Sequence, residues 1–149
     1  MASDTKPYIP FAIGRTTCIL PVSEVRETLQ LRPITPVYRM PPTIRGLIQV
    51  RGEIFPVLEI GRLLGIPPAE IPDHKRIVVA CLGERVAGIL TSSVHGTIEI
   101  ADESFETVPH NVGSDAASFL TAVARTPLGV VGRLSLDRVF SSEKLRPAT

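Results

Sequence analysis

The chain has 149 residues, of which 44% are hydrophobic and 21% charged, and its formal net charge is +1. This length suits one domain with a proper core and excludes two large ones, while the hydrophobic content excludes disordered and fibrous classes. A net charge near zero argues against nucleic acid or an anionic membrane as a partner, because both attract a clustered excess of Lys and Arg.

The two ends of the chain are polar. Residues 1–7 contain an acid and lack the apolar core of a secretory signal. No apolar run reaches the ~18 residues needed to span a bilayer. We therefore expect a cytoplasmic protein without direct membrane insertion, with flexible tails at 1–7 and 146–149.

Short runs rich in β-branched residues follow one another between prolines and glycines. The predicted strands cover residues 9–13, 18–22, 47–50, 54–58, 77–82, 86–90 and 130–136. Helical character is confined to 60–64 and 137–145, with Asp137 as a candidate N-cap of the second segment. Many short strands separated by turns favour an all-β sandwich or barrel over a βαβ fold.

The sequence contains an internal duplication. A shift of 69 positions places Gly14 on Gly83 and Leu20 on Ile89, and a shift of 76 positions places 54–64 on 130–140. The difference between the shifts predicts an insertion of seven residues around 111–118 in the second copy. We infer two similar β-units, about 8–66 and 76–141, that pack as one body with a groove between them. Residues 46–52 have no counterpart in this alignment.

The central stretch has the pattern of a hairpin. Ile48 and Val50 alternate with Gln49 and Arg51, as in a strand with one buried face. Gly52 can supply the positive φ of the turn that follows. Pro56 lacks an N–H, which predicts an edge strand or a bulge there.

Three linked motifs carry a resemblance to a known family. They are Phe11-Ala-Ile-Gly14, Leu20-Pro-Val-Ser-Glu-Val-Arg-Glu27 and Gly46-Leu-Ile-Gln-Val-Arg-Gly-Glu-Ile-Phe-Pro-Val57. In this order they resemble the CheW-like coupling domain of bacterial chemotaxis, and the likeness covers residues 9–145.

The resemblance implies both a fold and a function. The fold would be two small, SH3-like, five-stranded β-barrels with short helices in a single domain over 8–145. The function would be that of a scaffold without a catalytic, cofactor or metal site. It would couple the cytoplasmic tip of methyl-accepting chemoreceptors to the regulatory domain of a CheA-type histidine kinase, and its partners would recruit it to membrane receptor arrays.

The residues in matching positions at the receptor and kinase interface are Val22, Val25, Glu27, Gly46 and Arg51. We expect Glu27 and Arg51 to pair on the surface, because arginine offers a planar donor fork to a carboxylate. The chain departs from the family where Glu59-Ile-Gly-Arg62 replaces a frequent Asp-Leu-Arg. A twitching or developmental pathway is therefore as compatible with the sequence as flagellar chemotaxis.

Other functional classes have less support. His74, His95 and His110 lie in polar segments, so we interpret them as solvated histidines rather than general bases. The acidic cluster Asp102, Glu103 and Glu106 is interpreted as a solvated face. Cys18 and Cys81 lack metal-ligand spacing and are expected to be reduced thiols in the core. A small-barrel nucleic-acid binder would need aromatic platforms and a basic groove, but the chain has no Trp and two Tyr.

Overall fold

The computed structural model describes residues 4–71 and 73–145. Its strands are β1 (Thr5–Ile13), β2 (Thr16–Pro21), β3 (Val25–Gln30), β4 (Ile44–Val50), β5 (Glu53–Leu58), β6 (Arg76–Leu82), β7 (Arg85–Thr91), β8 (Ser93–Val94), β9 (Ile98–Ala101), β10 (Phe105–Glu106), β11 (Leu120–Thr126) and β12 (Gly129–Leu134). The helices are α1 (Ile60–Leu63), α2 (Ser114–Phe119) and α3 (Leu136–Phe140). Short 3₁₀ turns cover Val22–Glu24, Pro68–Glu70, Asp102–Ser104 and Glu143–Leu145. The predicted all-β class is confirmed.

Each of the two sheets combines strands from both halves of the chain. Sheet A has the order β10-β11-β12-β2-β1-β8, and β9 also pairs with β1. Sheet B has the order β3-β6-β7-β5-β4. The N-terminal hairpin β1–β2 thus lies among C-terminal strands, and the hairpin β6–β7 lies among N-terminal ones. The sheets therefore do not follow the division into 8–66 and 76–141 that the sequence predicts.

The duplication is present as equivalent elements. The shift of 69 carries β1 and β2 onto β6 and β7, and the shift of 76 carries β4, β5 and α1 onto β11, β12 and α3. The two parallel pairs obey the same relation, since Ile19 pairs with Arg133 where Gly88 pairs with Val57. The prediction that residues 46–52 lack a counterpart is wrong, because β4 corresponds to β11. Helix α2 lies where the insertion is predicted.

Tight turns close the hairpins. Gly14 and Gly83, which the shift of 69 superposes, have φ of 61° and 62° at the first central position of two-residue turns. Glycine at this position with positive φ is typical of a type II′ turn, which matches the twist of antiparallel strands. The two equivalent hairpins therefore use the same turn chemistry.

The main core cluster fills the space between the two sheets. It combines Phe11 and Leu20 of sheet A with Val78 and Ile89 of sheet B, and Leu63 of α1 is fully buried within it. Two smaller clusters cover the opposite faces of the central strands. Strands buried on both faces need continuous apolar runs, which explains the composition of β6 and β7. Cys18 belongs to the main cluster, where burial raises the pKa of its thiol to about 12, whereas Cys81 is half-buried.

Several local predictions need correction. Residues 5–7 are not a tail, because they begin β1 and pair with β9, while residues 1–3 and 146–149 lie outside the described part. The N-cap of α3 is Ser135, whose hydroxyl accepts from the Arg138 N–H, and not Asp137. Pro56 lies in an inner strand, but the parallel pairing of β5 with β7 begins only at Val57. The N–H that Pro56 lacks is therefore not needed for the pairing of β5 with β7.

Leu63→Ala should lower the free energy of unfolding by about 2–5 kcal/mol, because it leaves a cavity in the main cluster. Urea denaturation measures this change. Leu128→Ala is the matched control, since Leu128 is exposed and its truncation should stay within about 0.5 kcal/mol. Equal losses in the two variants would contradict the placement of the core.

Candidate functional site

Glu27 and Arg51 form an ion pair, which confirms the pairing that the sequence predicts. Glu27 lies in β3 and Arg51 in the turn between β4 and β5, and Arg51 Nη2 donates to Glu27 Oε2. The Arg51 side chain is 70% exposed, against 23% for Glu27. The carboxylate therefore anchors a guanidinium that stays accessible from outside.

A second ion pair of opposite polarity joins β3 to the first residue of β5, in the same hairpin. Arg26 Nη1 donates to Glu53 Oε2 at 2.6 Å. The register of β3 against β6 shifts between Val25 and Glu27, which makes Arg26 the extra residue of a β-bulge. A bulge redirects a side chain, so the neighbours Arg26 and Glu27 can both contact the same end of the β4–β5 hairpin. We call Arg26, Glu27, Arg51 and Glu53 the charged corner.

Sequence reasoning missed Arg26 and Glu53. The available signal was complementary charge order: Arg-Glu in one segment faces Arg-Gly-Glu in the other. This charge order does not predict both ion pairs unless the bulge is known, because adjacent residues of a regular strand point to opposite faces.

Arg51 has a left-handed backbone conformation. Its φ is 49° and that of Gly52 is 82°, and positive φ at both central residues is typical of a type I′ hairpin turn. A non-glycine residue in this region costs roughly 1–2 kcal/mol, whereas an exposed ion pair returns only ~0–1 kcal/mol. The arginine thus does not stabilise its turn on balance, which marks it as a candidate functional residue.

Val22 and Val25 lie on the segment that leads into the charged corner. Val22 begins the 3₁₀ turn before β3 and is half-buried. Val25 is the first residue of β3 and packs against the main core cluster. Three of the predicted interface residues therefore belong to one continuous stretch, residues 22–27, with two apolar positions before the charged one.

Gly46 has a backbone role instead. It lies in β4 with φ of 154°, and a Cβ built there would be 2.3 Å from the Thr35 carbonyl oxygen. Next to it, Leu47 and Thr35 exchange two backbone hydrogen bonds of 2.9 Å. The absence of a side chain at Gly46 lets the backbone around Thr35 approach β4 closely enough to pair with it. Gly46 is five positions from Arg51, roughly 16 Å along an extended strand, and so does not join the charged corner.

Exposed apolar side chains lie near both equivalent hairpin turns. Ile54, next to Glu53, is 62% exposed, and its equivalent Val130 is 64% exposed. At the second turn Pro127 and Leu128 replace Arg51 and Gly52, and Leu128 is also exposed. The β4–β5 hairpin therefore presents an exposed apolar residue beside charged ones, whereas the β11–β12 hairpin has exposed apolar residues at and next to its turn.

A separate polar cluster surrounds Glu59. Its carboxylate accepts from Arg45 and from Arg62 Nε at 3.1 Å, and His74 Nε2 lies 3.5 Å away. The prediction that His74 is a solvated histidine is wrong, since its side chain is only 15% exposed. Burial lowers the pKa of His74, while the nearby Glu59 carboxylate opposes that shift.

The remaining candidates are exposed. His95 and His110 are exposed, as the sequence predicts, and so are Asp102, Glu103 and Glu106. Among residues 4–71 and 73–145 no group of three or more His, Cys, Asp or Glu side chains could hold a metal ion. In the same residues no helix has the length and apolar character required to cross a membrane.

The fold and this arrangement define a β-protein with an exposed charged corner, and comparison with known proteins gives its family. The family model described as "CheW-like domain" matches residues 7–144. The chain therefore belongs to the CheW-like domain family, which confirms the resemblance carried by the three sequence motifs.

Individual relatives agree with this assignment. The chain is 31% identical to "Chemotaxis protein CheW" of Rhizobium meliloti (strain 1021), covering 96% of this chain and 92% of that one. It is 32% identical to "Protein FrzA" of Myxococcus xanthus, covering 79% and 74%. The crystal structure of scaffolding protein TtCheW from Thermoanaerobacter tengcongensis superposes with a TM-score of 0.82 at 25% identity, covering 95% of this chain and 96% of that one.

Gly46→Ala should destabilise the protein by at least about 2 kcal/mol, because the added methyl would overlap the Thr35 carbonyl at a backbone angle that suits glycine. Thermal or urea unfolding measures the loss. Gly96→Ala is the control, since nothing lies within 4 Å of a Cβ there. A fully stable Gly46→Ala protein would refute the backbone role.

The stability of the protein should fall as the pH drops below about 6.5, and His74 should contribute to that fall. The pKa of His74 is lower in the folded chain, so the unfolded state binds the proton first and gains stability relative to the folded state. The loss of stability that His74 causes develops between pH 6.5 and the lower pKa that His74 has in the folded chain. His74→Gln should flatten this part of the curve, and His110→Gln should not; identical curves for wild type and His74→Gln would contradict the assignment.

Proposed function

We propose that this chain is a non-enzymatic adaptor that couples methyl-accepting chemoreceptors to a CheA-type histidine kinase. The observation that carries the proposal is the charged corner: an accessible arginine held by a carboxylate in a strained turn, in a member of the CheW-like family. A structural relative, TtCheW, is named a scaffolding protein, which supports the same conclusion.

The interface is proposed to use two kinds of surface. Residues 22–27 lead from half-buried valines to Glu27, and Arg51 adds a cation beside the exposed Ile54. Apolar contacts next to arginine are typical of the energetically important centre of protein interfaces. Gly46 would serve indirectly, because it fixes the path of the strand that ends at Arg51.

The duplicated architecture suits an array component. Ile54 and Val130 occupy equivalent positions on two hairpins that have different surroundings, so one chain can contact two different neighbours. Each contact can be weak, with an isolated pair binding in the micromolar range, because many linked contacts raise the overall avidity. In this scheme the protein stays in the cytoplasm, and its partners recruit it to receptor arrays.

The adaptor would serve either flagellar chemotaxis or a twitching or developmental system. One relative is named a chemotaxis protein and another Protein FrzA. Receptor and kinase pairs from both kinds of pathway are therefore the partners to test.

Arg51→Asn should leave the fold intact and weaken binding in a pull-down with the chemoreceptor cytoplasmic tip and with the kinase regulatory domain. Asparagine tolerates the left-handed conformation, and only an exposed ion pair worth ~0–1 kcal/mol is lost. Hydrogen bonds from a guanidinium are worth about 1.5–3 kcal/mol, so we expect binding to at least one partner to fall about tenfold or more.

Arg15→Asn is the matched control, since Arg15 is an exposed arginine in another two-residue hairpin turn. It should bind both partners like the wild type. If folded Arg51→Asn also bound both partners at full strength, the charged corner would not be the interface. If the wild-type chain bound neither partner, the adaptor function itself would be wrong.

A further inference from the structure

A groove of about 830 Å³ lies beside the start of β4. Four apolar side chains form much of its wall: Leu31, Ile34, Ile66 and Ile71. Volumes of this size are typical of ligand-binding clefts. Arg45, at the second position of β4, lines the groove, whereas Arg51 follows the last residue of that strand. The two residues are six positions apart, roughly 20 Å along an extended strand, so the groove and the charged corner are distinct surfaces.

The groove carries an excess of positive charge. Arg32, Arg45 and Arg62 line it together with Glu59 and Asp73. Arg45 and Arg62 are both held by Glu59. Arg32 has no ion pair or side-chain hydrogen bond with any residue in 4–71 or 73–145. Its guanidinium is therefore the charge in the groove that is available to an anionic group.

A buried polar atom in the groove also has no partner. Nδ1 of His74 is inaccessible to solvent and forms no hydrogen bond within the described residues, while Nε2 of the same ring faces Glu59. Buried polar atoms are normally paired, and each exception calls for an explanation. Because this atom is closed off from solvent, an occupant of the groove cannot hydrogen-bond to it, and His74 contributes only ring surface to the groove lining.

We propose that this groove binds a short extended segment of a partner protein in which apolar side chains flank a carboxylate. The apolar side chains would cover Leu31, Ile34 and Ile71, and the carboxylate would pair with Arg32. The segment would also pass beside the His74 ring, which lines the groove. A small inorganic anion would leave the apolar wall uncovered, so a peptide matches the whole groove better. This contact is additional to the receptor and kinase contacts at the charged corner.

Fluorescence anisotropy with a labelled Leu-Asp-Leu-Asp-Leu-Asp peptide tests the proposal. The wild-type chain should bind it, and should bind the peptides with asparagine or lysine in place of aspartate much more weakly. Arg32→Glu should weaken binding of the aspartate peptide about tenfold or more, since a charge-assisted hydrogen bond becomes a repulsion. Arg39→Glu is the matched control, because it makes the same charge change at an exposed position of the same loop, outside the groove lining.

The position of the peptide is read from the imidazole resonances of the three histidines. Addition of the aspartate peptide should shift the His74 signals and leave those of His95 and His110 in place. Absence of binding at millimolar peptide, equal losses in Arg32→Glu and Arg39→Glu, or an unmoved His74 would each overturn the proposal. Arg32→Glu should still bind the receptor tip and kinase domain normally, so failure here is distinguishable from failure of the adaptor function.

Discussion

Two parallel strand pairs, β2 with β12 and β5 with β7, hold the N-terminal and C-terminal halves of the chain together. Each pair places a strand of one exchanged hairpin beside a strand from the other half. Units of about 65 residues bury a smaller fraction of their surface than larger domains do and are only marginally stable alone. With the exchange, the main cluster draws Phe11 and Leu20 from one sheet and Val78 and Ile89 from the other. Neither complete sheet can consequently form from a single half of the chain.

This connected framework fixes the surfaces at both ends of β4. At one end a bulge in β3 brings Glu27 within reach of Arg51, and the turn keeps Arg51 in a conformation that its ion pair does not fully compensate. At the other end Glu59 pairs with two arginines, Arg45 and Arg62, while a third, Arg32, is unpaired among the described residues. Stability comes from the buried clusters, whereas these exposed charges add little to it and are available for binding.

Much of the fold could be predicted from patterns within the chain. Repeated elements show in sequence because equivalent turns need the same backbone freedom, as Gly14 and Gly83 illustrate. Short elements were missed because β8 and β10 have two residues each and carry no measurable periodicity. β11 was missed because its equivalent, β4, shares its length and place but little of its sequence. Such patterns do not predict which strands share a sheet, because pairing between strands distant in sequence does not affect the local residue pattern.

The sequence by itself determined the all-β class, the duplication, the family and the pairing of Glu27 with Arg51, because composition, repeat spacing and ordered motifs are properties of the linear chain. Only the tertiary structure decided how the hairpins are exchanged, that Arg26 and Glu53 complete the charged corner, and that His74 is buried against Glu59. Each of these depends on which distant backbones approach one another. Burial of the main cluster governs that approach, and many residues far apart in sequence contribute to it together.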